Sequence, residues 1–150
     1  MSLEVRHGAG TDPVPRELIG AMVAEVERMY DAAVDPLAEQ FAPPDGAYVT
    51  LWRRGDVVAG GGLRRLPDGA CEIKRMYVVP ASRGGGTGRA LLEALEAHAR
   101  GLGFAVVRLD TGAKQERAQR MYERAGYRPV ADYNGNPLAA YWGEKRLDQT

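Results

Sequence analysis

The chain has 150 residues, 45% hydrophobic and 27% charged, with 20 cationic against 20 acidic side chains. That balance fits one globular domain, read as residues 1–150, with a core that needs no staple, and it excludes global disorder. A formal net charge of zero supplies no field for nucleic acid, no apolar run reaches the length of a membrane-spanning helix, and the one cysteine, Cys71, excludes a disulfide framework or a CxxC metal site.

Leu3–His7 alternates apolar and polar residues, which predicts a short strand. Leu18, Met22, Val26 and Met29, widened by Ile19, Val23 and Tyr30, predict an amphipathic helix over about 16–33. The stretch from Asp35 to Pro44 is broken by prolines. Ala47–Arg53 and Asp56–Leu66 read as a hairpin turning at Arg54-Gly55. The second arm contains Gly60-Gly61-Gly62, which predicts a close approach by another backbone. Pro67-Asp68-Gly69 marks a turn, and Cys71–Val79 a strand ending at Pro80. Leu91, Leu95, Ala99 and Leu102 predict a helix over roughly 87–101, closed at Gly101 and Gly103. Phe104–Asp110 reads as a strand, Lys114–Ala125 as a helix stopped by Gly126, and Tyr127–Val130 and Ala139–Lys145 as closing strands. The order β-α-β-β-β-α-β-α-β-β predicts an α/β fold with a mixed sheet and helices on its faces.

The chemistry concentrates between Tyr77 and Leu92. A strand runs into Arg83-Gly84-Gly85-Gly86-Thr87-Gly88-Arg89, and this loop opens a helix. The first helical turn offers unpaired N–H donors and the positive end of the dipole, and glycines admit a ligand to the backbone. The combination suits a phosphate or pyrophosphate, with Arg83 and Arg89 adding charge. It is not a Walker loop, because Gly88 is followed by Arg89-Ala90 rather than by lysine and a hydroxyl residue. It is not a GxGxxG fingerprint either: from Gly84 the last position is Arg89, and from Gly86 it is Leu91.

These residues resemble the GNAT acyltransferases (Gcn5-related N-acetyltransferases). The family signature, Arg/Gln-x-x-Gly-x-Gly/Ala after a strand, is matched by Arg83 to Gly88. Upstream, Glu72-Ile73-Lys74-Arg75-Met76-Tyr77-Val78-Val79-Pro80 is similar to the family's fourth strand. Downstream, the run from Ala118 to Tyr127 resembles its A-x-x-hydrophobic-Tyr-x-x-x-Gly-Phe/Tyr segment. The resemblance covers about residues 47–147. It implies a central, mostly antiparallel sheet of six or seven strands flanked by helices.

The resemblance also implies a reaction: transfer of an acetyl group from acetyl-CoA to a primary amine of a small molecule, amino acid or peptide, by direct attack and without a metal. The pyrophosphate would lie over Arg83, Gly84, Gly85, Gly86, Thr87, Gly88 and Arg89. The pantetheine would add like a strand beside Met76, Tyr77 and Val78, with the N–H of Met76 or Tyr77 as oxyanion donor. The family often has an asparagine contacting pantetheine after the fifth strand; here Gln115 is the substitute. An amine of pKa near 10.4 is only about 0.04% neutral at pH 7, a deficit of roughly 4–5 kcal/mol, so a base is useful. Glu72 is the first choice, since four residues separate it from Met76 and an even spacing on a regular strand gives one face. Asp110 and a water chain are the alternatives. Tyr122 matches the family position for the acid that protonates the leaving thiolate.

Other readings carry less chemistry. His98 reads as a half-buried helix residue, Cys71 as a small buried hydrophobe, and Trp52, Tyr141 and Trp142 as sheet packing, with Trp142 also a candidate lining for the acceptor pocket. The expected location is the cytoplasm, with an amine acceptor as partner, neither nucleic acid nor membrane, and homodimerisation left open. The alternative to an enzyme is a catalytically inactive acyl-CoA-binding sensor or partner module of the same fold.

Overall fold

The computed structural model describes residues 2–148. Seven strands form one sheet: β1 (Glu4–Gly8), β2 (Ala47–Arg53), β3 (Asp56–Arg65), β4 (Cys71–Val78), β5 (Val106–Gly112), β6 (Arg128–Pro129) and β7 (Ala139–Arg146). Their spatial order is β1-β2-β3-β4-β5-β7-β6, and every neighbouring pair is antiparallel except β4 with β5. The helices are α1 (Pro13–Tyr30), α2 (Thr87–Gly101) and α3 (Glu116–Arg124). Element order agrees with the sequence reading, and α2 agrees to the residue. Helix α1 begins and ends three residues earlier than its apolar spacing suggests. Pro13 and Pro15 sit inside its first turn, where a missing N–H costs nothing.

The sheet separates two apolar layers. On one face Leu91, Leu92, Leu95 and Ala99 of α2 pack on Val49, Leu51, Ile73, Val107 and Leu109, and Tyr122 and Ala125 at α3 extend this core. Burying each such leucine contributes about 1.5–3 kcal/mol. On the other face Leu18 and Ile19 of α1 close over Phe41 and Tyr48. Glu96 is buried in α2 but satisfied: the Tyr127 hydroxyl donates to it at 2.8 Å and Lys145 Nζ at 2.9 Å.

The β2–β3 hairpin turns at Arg54 and Gly55, both at positive φ (53° and 83°), the geometry whose twist matches the flanking strands. The glycines of β3 serve a purpose other than the expected one. A Cβ on Gly60 would come within 2.6 Å of the Tyr48 side chain, on Gly61 within 2.9 Å of Leu95, and on Gly62 within 2.5 Å of Phe41. Large side chains, not another backbone, fill the space these residues leave. Opposite Gly61 the register slips, so that two residues of β4, Arg75 and Met76, face one of β3. Arg75 takes up the bulge at φ 61°.

Candidate active site

The β4–β5 pairing is confined to Cys71↔Val107 and Glu72↔Arg108. Beyond those pairs the two strands part, and the backbone of Lys74 to Val78 loses its partner on that side. The gap opens a cleft of about 460 Å³, lined by β4 from Ile73 to Val78, by Asp110, Thr111 and Gly112 of β5, by Tyr122 of α3 and by Met22, Val26 and Tyr30 of α1. Val79 N–H donates to Val58 of β3 at 2.9 Å. Alternation along the strand therefore turns the Val78 N–H, and two residues earlier that of Met76, into the gap, while the Tyr77 N–H faces Gly60.

The glycine loop lies at the end of the gap. Gly84 and Gly86 are at φ 89° and 84°, and a Cβ on Gly84, Gly85 or Gly86 would meet no heavy atom within 4 Å. Among the described residues the N–H groups of these three glycines meet no protein acceptor, and the first turn of α2 leaves those of Thr87, Gly88 and Arg89 without helical partners. Open space beside unpartnered N–H donors at a dipole's positive end is a fit for a pyrophosphate. The two arginine side chains are otherwise engaged. Arg83 Nε donates to the Val78 carbonyl at 2.9 Å and Nη2 pairs with Glu25 at 2.9 Å, while Arg89 pairs with Glu93 at 3.5 Å on the exposed helix surface.

Tyr122 stands across the gap from β4. Its hydroxyl donates to Met76 Sδ at 3.5 Å. Burial, reinforced by the charges of Asp110 and Tyr141, raises its pKa well above the usual phenol value. The group therefore stays protonated near neutral pH and is available as a donor. Gln115 also lines the cleft, with Oε1 accepting from Gly112 N–H at 3.0 Å and Thr111 Oγ1 at 3.4 Å. Gly112 is obligatory here, because a Cβ on it would lie 1.9 Å from the Tyr30 hydroxyl. Tyr30 in turn accepts from Lys114 N–H at 3.0 Å, which ties the end of α1 to the loop after β5.

Glu72 occupies the other face of the sheet. The bulge at Arg75 breaks the two-residue parity that would have aligned it with Met76. Met76 and Val78 lie with Ile73 on the α2 side, whereas Glu72 pairs across β3 with Arg64 beneath the α1 side. Its carboxylate has no solvent exposure, and Arg64 Nη2 holds Oε1 at 2.7 Å. Oε2 accepts from the Tyr133 hydroxyl at 2.6 Å and from Asn134 Nδ2 at 3.0 Å. Asn134 Nδ2 also reaches Asp110 at 2.5 Å, and Lys74 Nζ pairs with Asp110 at 3.0 Å. Glu72 and Asp110 are thus two ends of one buried network, and of these two Asp110 lines the cleft.

Tyr133, Asn134 and Asn136 are absent from the sequence-derived site. They come from the loop between β6 and β7 and converge on the two carboxylates; Trp142 Nε1 donates to Asn134 Oδ1 at 3.0 Å and orients it. The available signal was a polar Asp-Tyr-Asn-Gly-Asn segment in a loop far longer than a hairpin needs. Cys71 is buried, which pushes its thiol up to about 12 and leaves it inert near neutral pH. His98 stacks on His7 of β1 with ring centroids 4.5 Å apart, far from the cleft residues in sequence and absent from its lining. Among the described residues no cluster of His, Cys, Asp and Glu is arranged to hold a metal, and no helix is long and apolar enough to cross a membrane.

A strand pair that parts beside a glycine loop at a helix start defines an acyl-CoA-type transferase scaffold. The sequence profile of the acetyltransferase (GNAT) family matches residues 17–127, and the chain belongs to that family. It is 31% identical to an IAA acetyltransferase of Azospirillum brasilense, over 84% of this chain and 89% of that one. It is 30% identical to an aminoalkylphosphonate N-acetyltransferase of Salmonella typhimurium, over 83% and 84% of the two chains. An acetyltransferase of the GNAT family from Staphylococcus aureus shares the fold, with a TM-score of 0.79 at 16% identity, over 97% of this chain and 99% of that one. The chain is therefore an acyltransferase enzyme of a family that generally uses acetyl-CoA and acts on amine acceptors.

Proposed function

We propose that the enzyme transfers an acetyl group from acetyl-CoA to a primary amine by direct attack across the β4–β5 gap. One observation carries this reading: the gap sets Tyr122 and the unpaired edge of β4, which runs on toward the glycine loop, against a side that holds the Glu72–Asp110 network. Acetyl-CoA supplies the activated thioester. The N–H groups from Gly84 to Arg89 bind its pyrophosphate, and the unpaired edge of β4 takes the pantetheine as an added strand. The Met76 N–H faces the gap and donates to the carbonyl oxygen as negative charge grows there, whereas the Tyr77 N–H is directed to β3.

The acceptor amine arrives from the α1 side and must lose a proton. Asp110, the cleft-lining carboxylate, accepts it through water. Glu72 shares Asn134 with Asp110 and tunes that carboxylate from behind, so the pair acts as one base system. Tyr122 donates its hydroxyl proton toward the departing thiolate on the opposite side. The acid and the base system stand on opposite faces of the sheet, so the amine and the leaving thiolate are served from different sides of the gap.

The direct test is release of free CoA thiol from acetyl-CoA with a panel of amines, alongside calorimetric binding of acetyl-CoA, ATP and NADH. Acetyl-CoA binding together with amine-dependent thiol release is the expected result. Equal binding of ATP, or thiol release independent of amine, overturns it.

A further inference from the structure

Three cationic side chains line the cleft: Arg64, Lys74 and Arg75. Two are neutralised inside the protein, Arg64 by Glu72 at 2.7 Å and Lys74 by Asp110 at 3.0 Å. Arg75 forms no ion pair among the described residues. Its Nε and Nη2 both donate to one backbone oxygen, that of Asp35, at 3.1 and 2.6 Å. Nη1 and the remaining Nη2 hydrogen have no protein acceptor among the described residues. Burial lowers the pKa of this guanidinium, and the nearby carboxylates of Asp110, Asp35 and Glu72, none of them in an ion pair with it, offset that only in part.

The backbone reinforces the point. Arg75 is the bulged residue of β4, at φ 61°, a conformation that L side chains rarely adopt. Bulges of this kind re-aim a side chain, and this one turns Arg75 toward the loop at Asp35 that borders the cleft. It also sets Arg75 next to Met76, the N–H donor at the reacting carbonyl. A planar guanidinium with a free edge recognises a two-oxygen anion better than any other side chain does.

We propose that Arg75 selects the acceptor: it binds an acidic oxyanion group, carboxylate or phosphonate, on the molecule whose amine is acetylated. This rests on the amine-acetylation reading above. The substrate is then an amino acid or aminophosphonate in kind, with its acid on Arg75 and its amine beside Asp110.

The test compares wild type with Arg75→Gln and Arg75→Lys at saturating acetyl-CoA. Acceptors are matched pairs: α-amino acids against the amines lacking the carboxylate, and 2-aminoethylphosphonate against ethylamine. Wild type should favour the acidic member at least tenfold in kcat/KM, and the two acid types rank the carboxylate and phosphonate classes. Arg75→Gln should erase that preference through KM while neutral amines change less than threefold; Arg75→Lys should retain part of it. Should Arg75→Gln not fold, Arg75→Lys carries the test, because it keeps the charge and loses the fork. A preference retained in the glutamine variant, or absent in wild type, overturns the proposal. A second readout needs no turnover: calorimetric binding of the deaminated carboxylates to the CoA-bound enzyme. Loss of that binding in Arg75→Gln, with acetyl-CoA affinity unchanged, supports the proposal even if no amine in the panel is acetylated, a result that would count against the amine reading alone. Equal binding by both proteins overturns it.

Discussion

The Tyr122 hydroxyl lies 3.5 Å from the Met76 sulfur, bridging α3 to the bulged strand across the mouth of the β4–β5 gap. The contact places a tyrosine hydroxyl beside the edge of β4 that β5 leaves unpaired. If this hydroxyl protonates the departing thiolate, Tyr122→Phe removes the proton and keeps the ring in its packing. Turnover should fall about 10–1000-fold, spanning a general-acid contribution, with acetyl-CoA affinity within threefold of wild type. Single-turnover acetyl transfer, with chemistry shown to limit the rate, checks it; an unchanged rate assigns Tyr122 to the core.

The base system makes a pH prediction. Asp110→Asn and Glu72→Gln keep shape and remove basicity. Both variants should lose most activity near neutral pH and regain part of it as pH approaches the amine's own pKa, where free amine is abundant. Asp110→Asn should cost more, since Asp110 faces the cleft and Glu72 acts through Asn134. The pH–rate profile of each variant on one acceptor, with folding checked at each pH, decides the matter; profiles parallel to wild type and of equal height would assign the network to structure.

The glycine loop separates ligand approach from backbone strain. Gly85 is not at positive φ and a Cβ there meets nothing within 4 Å, so Gly85→Val should shift stability by no more than about 0.5 kcal/mol. Its bulk would nevertheless stand where the pyrophosphate approaches, and the rise in melting temperature with acetyl-CoA should vanish. Gly86, at φ 84°, adds strain: Gly86→Val should lose the ligand effect and also about 1–2 kcal/mol of stability. Melting curves with and without acetyl-CoA measure both.

His98 gives a pH-dependent stability outside the cleft. Burial, and then the neighbouring His7, lower its pKa below the usual value of 6.5. A lowered folded pKa means the unfolded chain binds the proton more readily. The contribution is therefore present above about pH 6.5 and is lost as pH falls through the folded value. His98→Gln should flatten the stability profile on the acidic side of 6.5. Urea midpoints across pH 5–8 test this, and identical profiles for both proteins would exclude the pair as the source.

Local features were legible in the sequence because their physics is local. The glycine loop and the start of α2 are specified by adjacent residues, and the periodic leucines of α2 fix its buried face without knowledge of what it packs on. Tyr122 was singled out by its match to the family's A-x-x-hydrophobic-Tyr segment, since its spacing in the helix marks only an apolar face. Glu72 was singled out as the base, but its orientation was not legible: strand parity holds only for a regular strand, and nothing in Lys74-Arg75-Met76 announces that Arg75 will adopt φ 61° opposite Gly61. The glycine run of β3 was read as a close approach by another backbone, and only the assembled sheet shows that the side chains of Tyr48, Leu95 and Phe41 occupy the space instead. Tyr133, Asn134 and Asn136 were illegible for a stronger reason. Their partners Glu72 and Asp110 lie tens of residues away along the chain, and hydrogen bonds of that span exist only once β7 has been laid against β5 and the preceding loop folded back over the gap.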